Sequence, residues 1–248
     1  MTVSADLDGL VAVVTGASSG IGRHFCSVLS SNGAQVVAAA RRKDRLDELV
    51  ADGSAAVAQE CDVTDSDDVV ALIGAAKRLG GPHIVVNAAG WADDKPALET
   101  SVEHFRKTLD VDLTAIFQVS VEAAKAMPDG GSIINIASIL GLVGSWPVAQ
   151  AAYCAAKGGV INLTRQLGAE WASKGIRVNA IAPGWFPSEL TDEMFENEKS
   201  AAWIKRNTPM GRPGRLSELD GPLLMMASPS STFLTGQILA VDGGWTAR

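Results

Sequence analysis

The chain has 248 residues, 47% hydrophobic and 20% charged, with 25 glycines and a formal net charge of -7 at pH 7. That composition supplies a buried core and excludes a disordered tail, while the acidic balance argues against nucleic acid or an anionic membrane as the main partner. Cys26, Cys61 and Cys154 are far apart and odd in number, so neither a disulfide framework nor a metal knuckle is suggested. Met1 to Gly9 carries two aspartates and no basic run, unlike a secretory signal, and no apolar run reaches membrane-spanning length; the expected location is the cytoplasm.

Short apolar runs alternate with longer stretches of helical character. Leu10–Thr15 reads as a strand followed by a helix over 21–32, Gln35–Ala40 as a strand before 43–51, and Ala55–Cys61 as a strand before 65–79. His83–Asn87 then leads to a helix over 101–126, Ser132–Ala137 to one over 150–173, and Arg177–Ala182 to two, over 189–206 and 216–228; Gln237–Val241 closes the series. The alternation predicts an α/β fold with a parallel sheet covered on both faces. With no linker, repeat or low-complexity tract, a single domain over 1–248 is expected.

Strands one, four, five and six are followed by Gly16, by Asn87-Ala88-Ala89-Gly90, by Ser138 and by Pro183-Gly184. In an open parallel sheet the carboxyl ends of the strands form the ligand crevice, so these residues should gather on one rim. The first of them opens Gly16-Ala17-Ser18-Ser19-Gly20-Ile21-Gly22, between a strand and a helix. Glycine there lets the backbone turn tightly against a pyrophosphate, and the N–H groups of the following helix attract the anion. The stretch lacks the Lys-Ser/Thr ending of an ATP-binding P-loop.

Tyr153 and Lys157 are spaced i, i+4, which on a helix puts both on one face about 6 Å apart along the axis. A free tyrosine titrates at a pKa of about 10, and lowering it by two to three units takes roughly 3–4 kcal/mol, the sign of help that an ammonium supplies. Tyr153 is the only tyrosine in the chain.

In this order, Thr15-Gly16-x-x-x-Gly20-x-Gly22, Asn87-Ala88-Ala89-Gly90, Ser138, Tyr153-x-x-x-Lys157 and Pro183-Gly184 resemble the short-chain dehydrogenase/reductase family. The resemblance runs through the closing Val241-Asp242-Gly243-Gly244. It implies a Rossmann-type, doubly wound sheet of seven parallel strands in three α/β/α layers. The cofactor half would extend to about residue 140 and the catalytic and substrate half over the remainder.

The resemblance also implies an oxidoreductase that interconverts a ketone or aldehyde and an alcohol. Tyr153 would be its general acid/base, Lys157 the group that makes Tyr153 acidic, and Ser138 the partner of the substrate oxygen. On the cofactor side it assigns Gly16, Ser18, Ser19, Gly20, Ile21 and Gly22 to the pyrophosphate turn, Asp62 and Val63 to adenine, and Asn87, Ala88, Ala89 and Gly90 to a stretch that lines the adenosine and stabilises the sheet. Pro183, Gly184, Phe186 and Ser188, with Tyr153 and Lys157, face the nicotinamide half, Ser188 standing where relatives usually carry threonine. The second strand ends in Ala40, with no acid for the ribose hydroxyls, and Arg41 and Arg42 follow; a guanidinium can fork onto a 2′-phosphate, so NADP(H) is expected over NAD(H). The opposing reading makes Arg41, Arg42 and Lys43 solvated residues opening a surface helix.

One position departs from the family. Val111-Asp112-Leu113 puts aspartate where relatives usually place an asparagine that holds water linking the lysine to solvent. Either an ionised Asp112 partly neutralises Lys157 through water and weakens its pull on Tyr153, or Asp112 stays water-bridged and works as asparagine would. Trp91, Trp146 and Trp185 fall at the predicted rim and suit an apolar small-molecule substrate, though they equally suit packing of the 185–207 segment or a subunit contact. The histidines show no metal-ligand spacing, and no metal is expected. Small and apolar faces on 101–126 and 150–173 point to a homotetramer, with a dimer as the alternative. Ketones of 3-oxoacyl, cyclic, steroid or sugar type are all open, as is a nucleotide-binding scaffold that has lost turnover.

Overall fold

The computed structural model describes residues 4–92 and 95–247, so Met1 to Val3 of the N-terminal stretch lie outside the described residues. Seven strands form one parallel sheet in the order β3-β2-β1-β4-β5-β6-β7: β1 (Val11–Thr15), β2 (Gln35–Ala40), β3 (Val57–Glu60), β4 (Ile84–Asn87), β5 (Gly131–Ile136), β6 (Ile176–Pro183) and β7 (Ile238–Val241). The helices between them are α1 (Gly20–Ser31), α2 (Lys43–Ala51), α3 (Ser66–Arg78), α4 (Val102–Leu109), α5 (Ala115–Lys125), α6 (Ala151–Glu170), α7 (Asp192–Glu196), α8 (Glu198–Asn207) and α9 (Asp220–Ala227). Among the described residues no helix is long and apolar enough to cross a membrane.

The strands are apolar on both faces because both faces are covered. Ala12 and Val14 of β1 pack with Val36, Phe25, Leu29, Leu46 and Leu223, under α1, α2 and α9. Val11 and Val13 turn the other way, to Val37, Leu72, Val119 and Leu167, under α3, α5 and α6. The order reverses beside β1, where Thr15 stands opposite Ala39 on one side and Asn87 on the other. A crevice opens at such a switch point because the connections on its two sides leave for opposite faces.

The helical reading needs two corrections. The stretch 101–126 is interrupted by a π-turn at Asp110–Thr114 that joins α4 to α5, and the turn carries the buried Asp112 inward. The stretch 189–206 breaks at Asn197, whose side chain accepts from Lys199 N at 3.0 Å and Ser200 N at 3.1 Å and so starts α8 afresh. The strand read as Ala55–Cys61 is trimmed to Val57–Glu60.

Arg177 of β6 is a buried cation held by carbonyls. Its NH2 donates to Met226 O at 2.7 Å and Ser228 O at 3.3 Å, at the end of α9, and its NH1 to Leu234 O at 3.5 Å. Burial pulls its pKa below the ordinary arginine value. Arg177→Met keeps the aliphatic bulk but removes the charged hydrogen bonds, leaving Met226 O to Ser132 Oγ, Ser228 O to Ser231 and Leu234 O to Asn179 Nδ2, so a loss of about 1–3 kcal/mol in urea unfolding is expected. An unfolding midpoint equal to the parent's would show that the ties to α9 are dispensable.

Candidate active site

The turn from β1 into α1 is shaped by close backbone approach. Gly16 has φ +67°, and a Cβ there would stand 2.6 Å from Ala88 O; a Cβ on Gly22 would stand 2.4 Å from Gly16 O. Thr15 fixes the turn against the loop after β4, its Oγ1 accepting from Ala88 N at 3.1 Å and Ala89 N at 3.2 Å. Ser19, at the head of α1, makes no side-chain cap, and the first turn holds no acidic residue. The leading N–H groups of α1 thus face the crevice at the positive end of the helix dipole, where a pyrophosphate fits.

The crevice measures about 1300 Å³ and runs from the ends of β2 and β3 to α6 and the segment after β6. At one end Asp62 accepts from Thr64 N at 3.0 Å and from Thr64 Oγ1 at 2.7 Å, which holds its carboxyl below the usual range. Arg42 spans the rim: Nε and NH2 donate to Ser18 Oγ at 3.2 and 3.0 Å, while NH1 and NH2 donate to the Glu189 carboxylate at 3.2 and 2.7 Å. The adenosine end of a dinucleotide fits against this rim.

At the other end Ser138, Tyr153, Lys157 and Asp112 meet. Ser138 follows β5 and accepts from Leu140 N at 3.1 Å, and its side chain shares a hydrogen bond with Tyr153. One turn along α6, the Lys157 Nζ lies 5.4 Å from the centre of the Tyr153 ring and donates to Ile136 O at 3.1 Å. The same Nζ stands 3.1 Å from Asp112 Oδ1, with only 4% and 0% of the two side chains exposed. Trp91 N donates to both Asp112 oxygens at 3.2 Å. Gly90 makes room: a Cβ there would lie 2.9 Å from Asp112 Oδ1.

Burial dominates the proton affinities here. It raises the Tyr153 phenol above the ordinary tyrosine value; Lys157 opposes that, and Asp112 adds to it. Burial also lifts the Asp112 carboxyl above the ordinary aspartate value, against the pull of Lys157. Lys157 is penalised by burial as well, but the Asp112 and Tyr153 charges outweigh it and hold the ammonium above the usual lysine value. Contact between Lys157 and Asp112 is therefore direct, where the sequence suggested a bridging water.

The crevice is lined by Gly16, Ser18, Ser19, Gly20, Ile21 and Gly22 of the turn, by Arg41, Arg42, Asp62 and Val63, and by Ala88, Ala89, Gly90 and Trp91. Ser138, Tyr153, Lys157 and Asp112 also line it, with Pro183, Gly184, Trp185, Phe186 and Ser188 after β6. Two expected residues lie elsewhere. Asn87 is buried behind the wall, where Nδ2 donates to Ser120 Oγ at 3.0 Å and Asn135 Oδ1 at 2.9 Å, and Asn135 passes the tie to Thr164 Oγ1 at 3.0 Å. Trp146 is 83% exposed and lies outside the lining.

Trp185 lines the crevice but also packs edge-on to Trp203 and Trp245, with ring centres 5.8 and 5.7 Å away. Sequence reading missed Glu189 and Thr191. Thr191 Oγ1 lies 3.1 Å from Ser188 Oγ and accepts from Ser188 N at 3.0 Å. Nothing in local periodicity marks either residue: Glu189 meets Arg42 from 147 residues away, and Thr191 closes a short turn onto Phe186 O and Ser188. Gln150, three residues before Tyr153, also lines the crevice, and that short spacing was the available signal.

A seven-stranded parallel sheet with a glycine turn at its switch point defines a Rossmann-type fold. The chain belongs to the short-chain dehydrogenase/reductase family: residues 16–246 match the family model described as enoyl-(acyl carrier protein) reductase. It is 40% identical over 245 residues to the galactitol 2-dehydrogenase (L-tagatose-forming) of Cereibacter sphaeroides, covering 97% of this chain and 96% of that one. Over 244 residues it is 39% identical to the cis-4-hydroxycyclohexanecarboxylate dehydrogenase of Sinomonas cyclohexanicum, covering 96% of each. The crystal structure of a gluconate 5-dehydrogenase from Burkholderia cenocepacia J2315 in complex with NADP and tartrate matches with a TM-score of 0.92 at 33% identity, over 98% of this chain and 97% of that one.

Proposed function

We propose that the chain is an NADP(H)-dependent oxidoreductase that interconverts a carbonyl and an alcohol by hydride transfer. The observation that carries this reading is the meeting of Ser138, Tyr153 and Lys157 on the crevice that the glycine turn also lines. When bound, the nicotinamide gives or accepts the hydride and, oxidised, adds positive charge beside the phenol.

The protein's own groups handle the oxygen and its proton. Ser138 and Tyr153 would hold the substrate oxygen between two hydroxyls, fixing the carbon for attack. In reduction the Tyr153 O–H donates its proton to the developing alkoxide; in oxidation the phenolate takes the alcohol proton. Lys157 favours the phenolate by its charge, and Asp112 holds Lys157 in place.

Arg42 and Ser18 would receive the 2′-phosphate, and the crystal complexes of gluconate dehydrogenases with NADP support the choice of cofactor by similarity. Leu140, Trp185 and Met194 give the substrate end an apolar wall, which favours a compact ring or short chain bearing a secondary hydroxyl. We place the assembly as a homotetramer, supported by the half-exposed Val102 and Phe117 on α4 and α5.

The test follows nicotinamide absorbance with purified protein, NADPH or NADH, and a panel of polyol-derived, cycloalkyl and 3-oxoacyl ketones. Turnover with at least one ketone, faster with NADPH, is expected. Tight NADPH binding with no turnover across the panel would leave only a nucleotide-binding scaffold.

A further inference from the structure

Glu189 lies in the segment after β6, next to the glycine turn: a Cβ on Gly20 would stand 3.1 Å from the Cβ of Ser188, the neighbouring residue. Its two carboxylate oxygens take the guanidinium fork of Arg42 at 3.2 and 2.7 Å. That guanidinium also donates to Ser18 Oγ, and the Ser19 side chain hydrogen-bonds to Glu189. A carboxylate thus sits among one arginine fork and the serines of the turn, at the end of β2, where Ala40 leaves no acid to receive ribose hydroxyls.

Those donors accept a phosphate monoester as readily as a carboxylate, since both present oxygens at the spacing of a guanidinium fork. The pair is open to exchange. Its side chains are 45% and 48% exposed, so solvent screens the attraction and a dianion can outcompete the single negative charge. A ribose without the phosphate makes no such demand on Arg42. If Glu189 stayed in place beside a bound phosphate, the two like charges would repel each other.

We propose that Glu189 is a built-in competitor for the 2′-phosphate of NADP(H), occupying Arg42 until that phosphate displaces it, and so limiting the preference for the phosphorylated dinucleotide. The inference rests on the proposed use of NADP(H) and adds a specificity-determining residue that the crevice's glycine turn alone does not reveal.

Calorimetric titration with NADP⁺ and with NAD⁺, which differ only in that phosphate, tests it without turnover. The parent, Glu189→Ala, Arg42→Ala and the double variant would be compared at one ionic strength, with thermal melts to establish that each is folded. Glu189→Ala should tighten NADP⁺ by about fivefold and leave NAD⁺ within about twofold. Arg42→Ala should weaken NADP⁺ by about tenfold or more, and adding Glu189→Ala to it should recover little. An NADP⁺ affinity that is unchanged or weaker in Glu189→Ala, or an equal gain for both dinucleotides, overturns the proposal. A parent that binds both alike but gains an NADP⁺ preference on Glu189→Ala would sustain the competitor role while removing the cofactor reading.

Discussion

Replacing Tyr153 with phenylalanine is expected to lower ketone reduction by about 10³-fold or more, within the range that a positioned proton donor contributes. The ring keeps its place on α6 while the hydroxyl partner of Ser138 is lost. The NADP⁺ dissociation constant should stay within about threefold, because binding rests on the turn and rim rather than on one phenol. The sign of the pH dependence follows from burial, which raises the phenol pKa, with Lys157 opposing. Reduction needs the protonated phenol, so its rate holds near neutrality and falls as pH rises through that pKa; oxidation rises over the same interval. Single-turnover kinetics on the two proteins decide the matter, and a variant that keeps a tenth of parental turnover would remove Tyr153 from the chemistry.

Asp112 should show two separable effects. In Asp112→Ala the buried Lys157 ammonium loses its carboxylate and keeps Ile136 O, and Trp91 N loses its acceptor. Stripping one partner from a buried ion pair costs about 3–5 kcal/mol, so the variant should unfold at markedly lower urea. Asp112→Asn removes the charge and exchanges one accepting oxygen for an amide donor, while the other oxygen can still accept from Trp91 N. The carboxylate raises the Tyr153 pKa, so its loss should move the midpoint of alcohol oxidation to lower pH. The fall of ketone reduction should shift by the same amount in the same direction. A midpoint at the parental pH in both directions would mean that Asp112 is a packing residue without electrostatic influence on the phenol.

The sheet was legible because a parallel strand covered on both faces must be apolar along most of its length, as Val11–Val14 and Val36–Ala40 are. The glycine turn and the Tyr153–Lys157 spacing were legible for a different reason: each is a local geometric requirement written in consecutive residues. What escaped reading depends on contacts made across the fold. The π-turn at Asp110–Thr114 adds a residue to a helical turn without disturbing the apolar period enough to show, yet it is the step that brings Asp112 against Lys157. The resemblance gave Asn87 to a stretch that lines the adenosine and stabilises the sheet; a strand alternates its side chains, and this one points back to Ser120 and Asn135 rather than into the crevice. Glu189 was invisible as a partner of Arg42 because 147 residues separate them.

The position of β1 inside the sheet also bears on how the protein is made. Its neighbour β2 follows within one helix, but its other neighbour is β4, so Val11 waits for a partner, His83, that lies 72 residues further on. Closing a connection of that length is slow, and the unpaired side of β1 is a row of free backbone donors on an apolar strand. A nascent chain therefore carries an adhesive edge until Asn87 has cleared the ribosomal tunnel. Slowing translation ahead of that point is expected to prolong the exposure of an aggregation-prone edge.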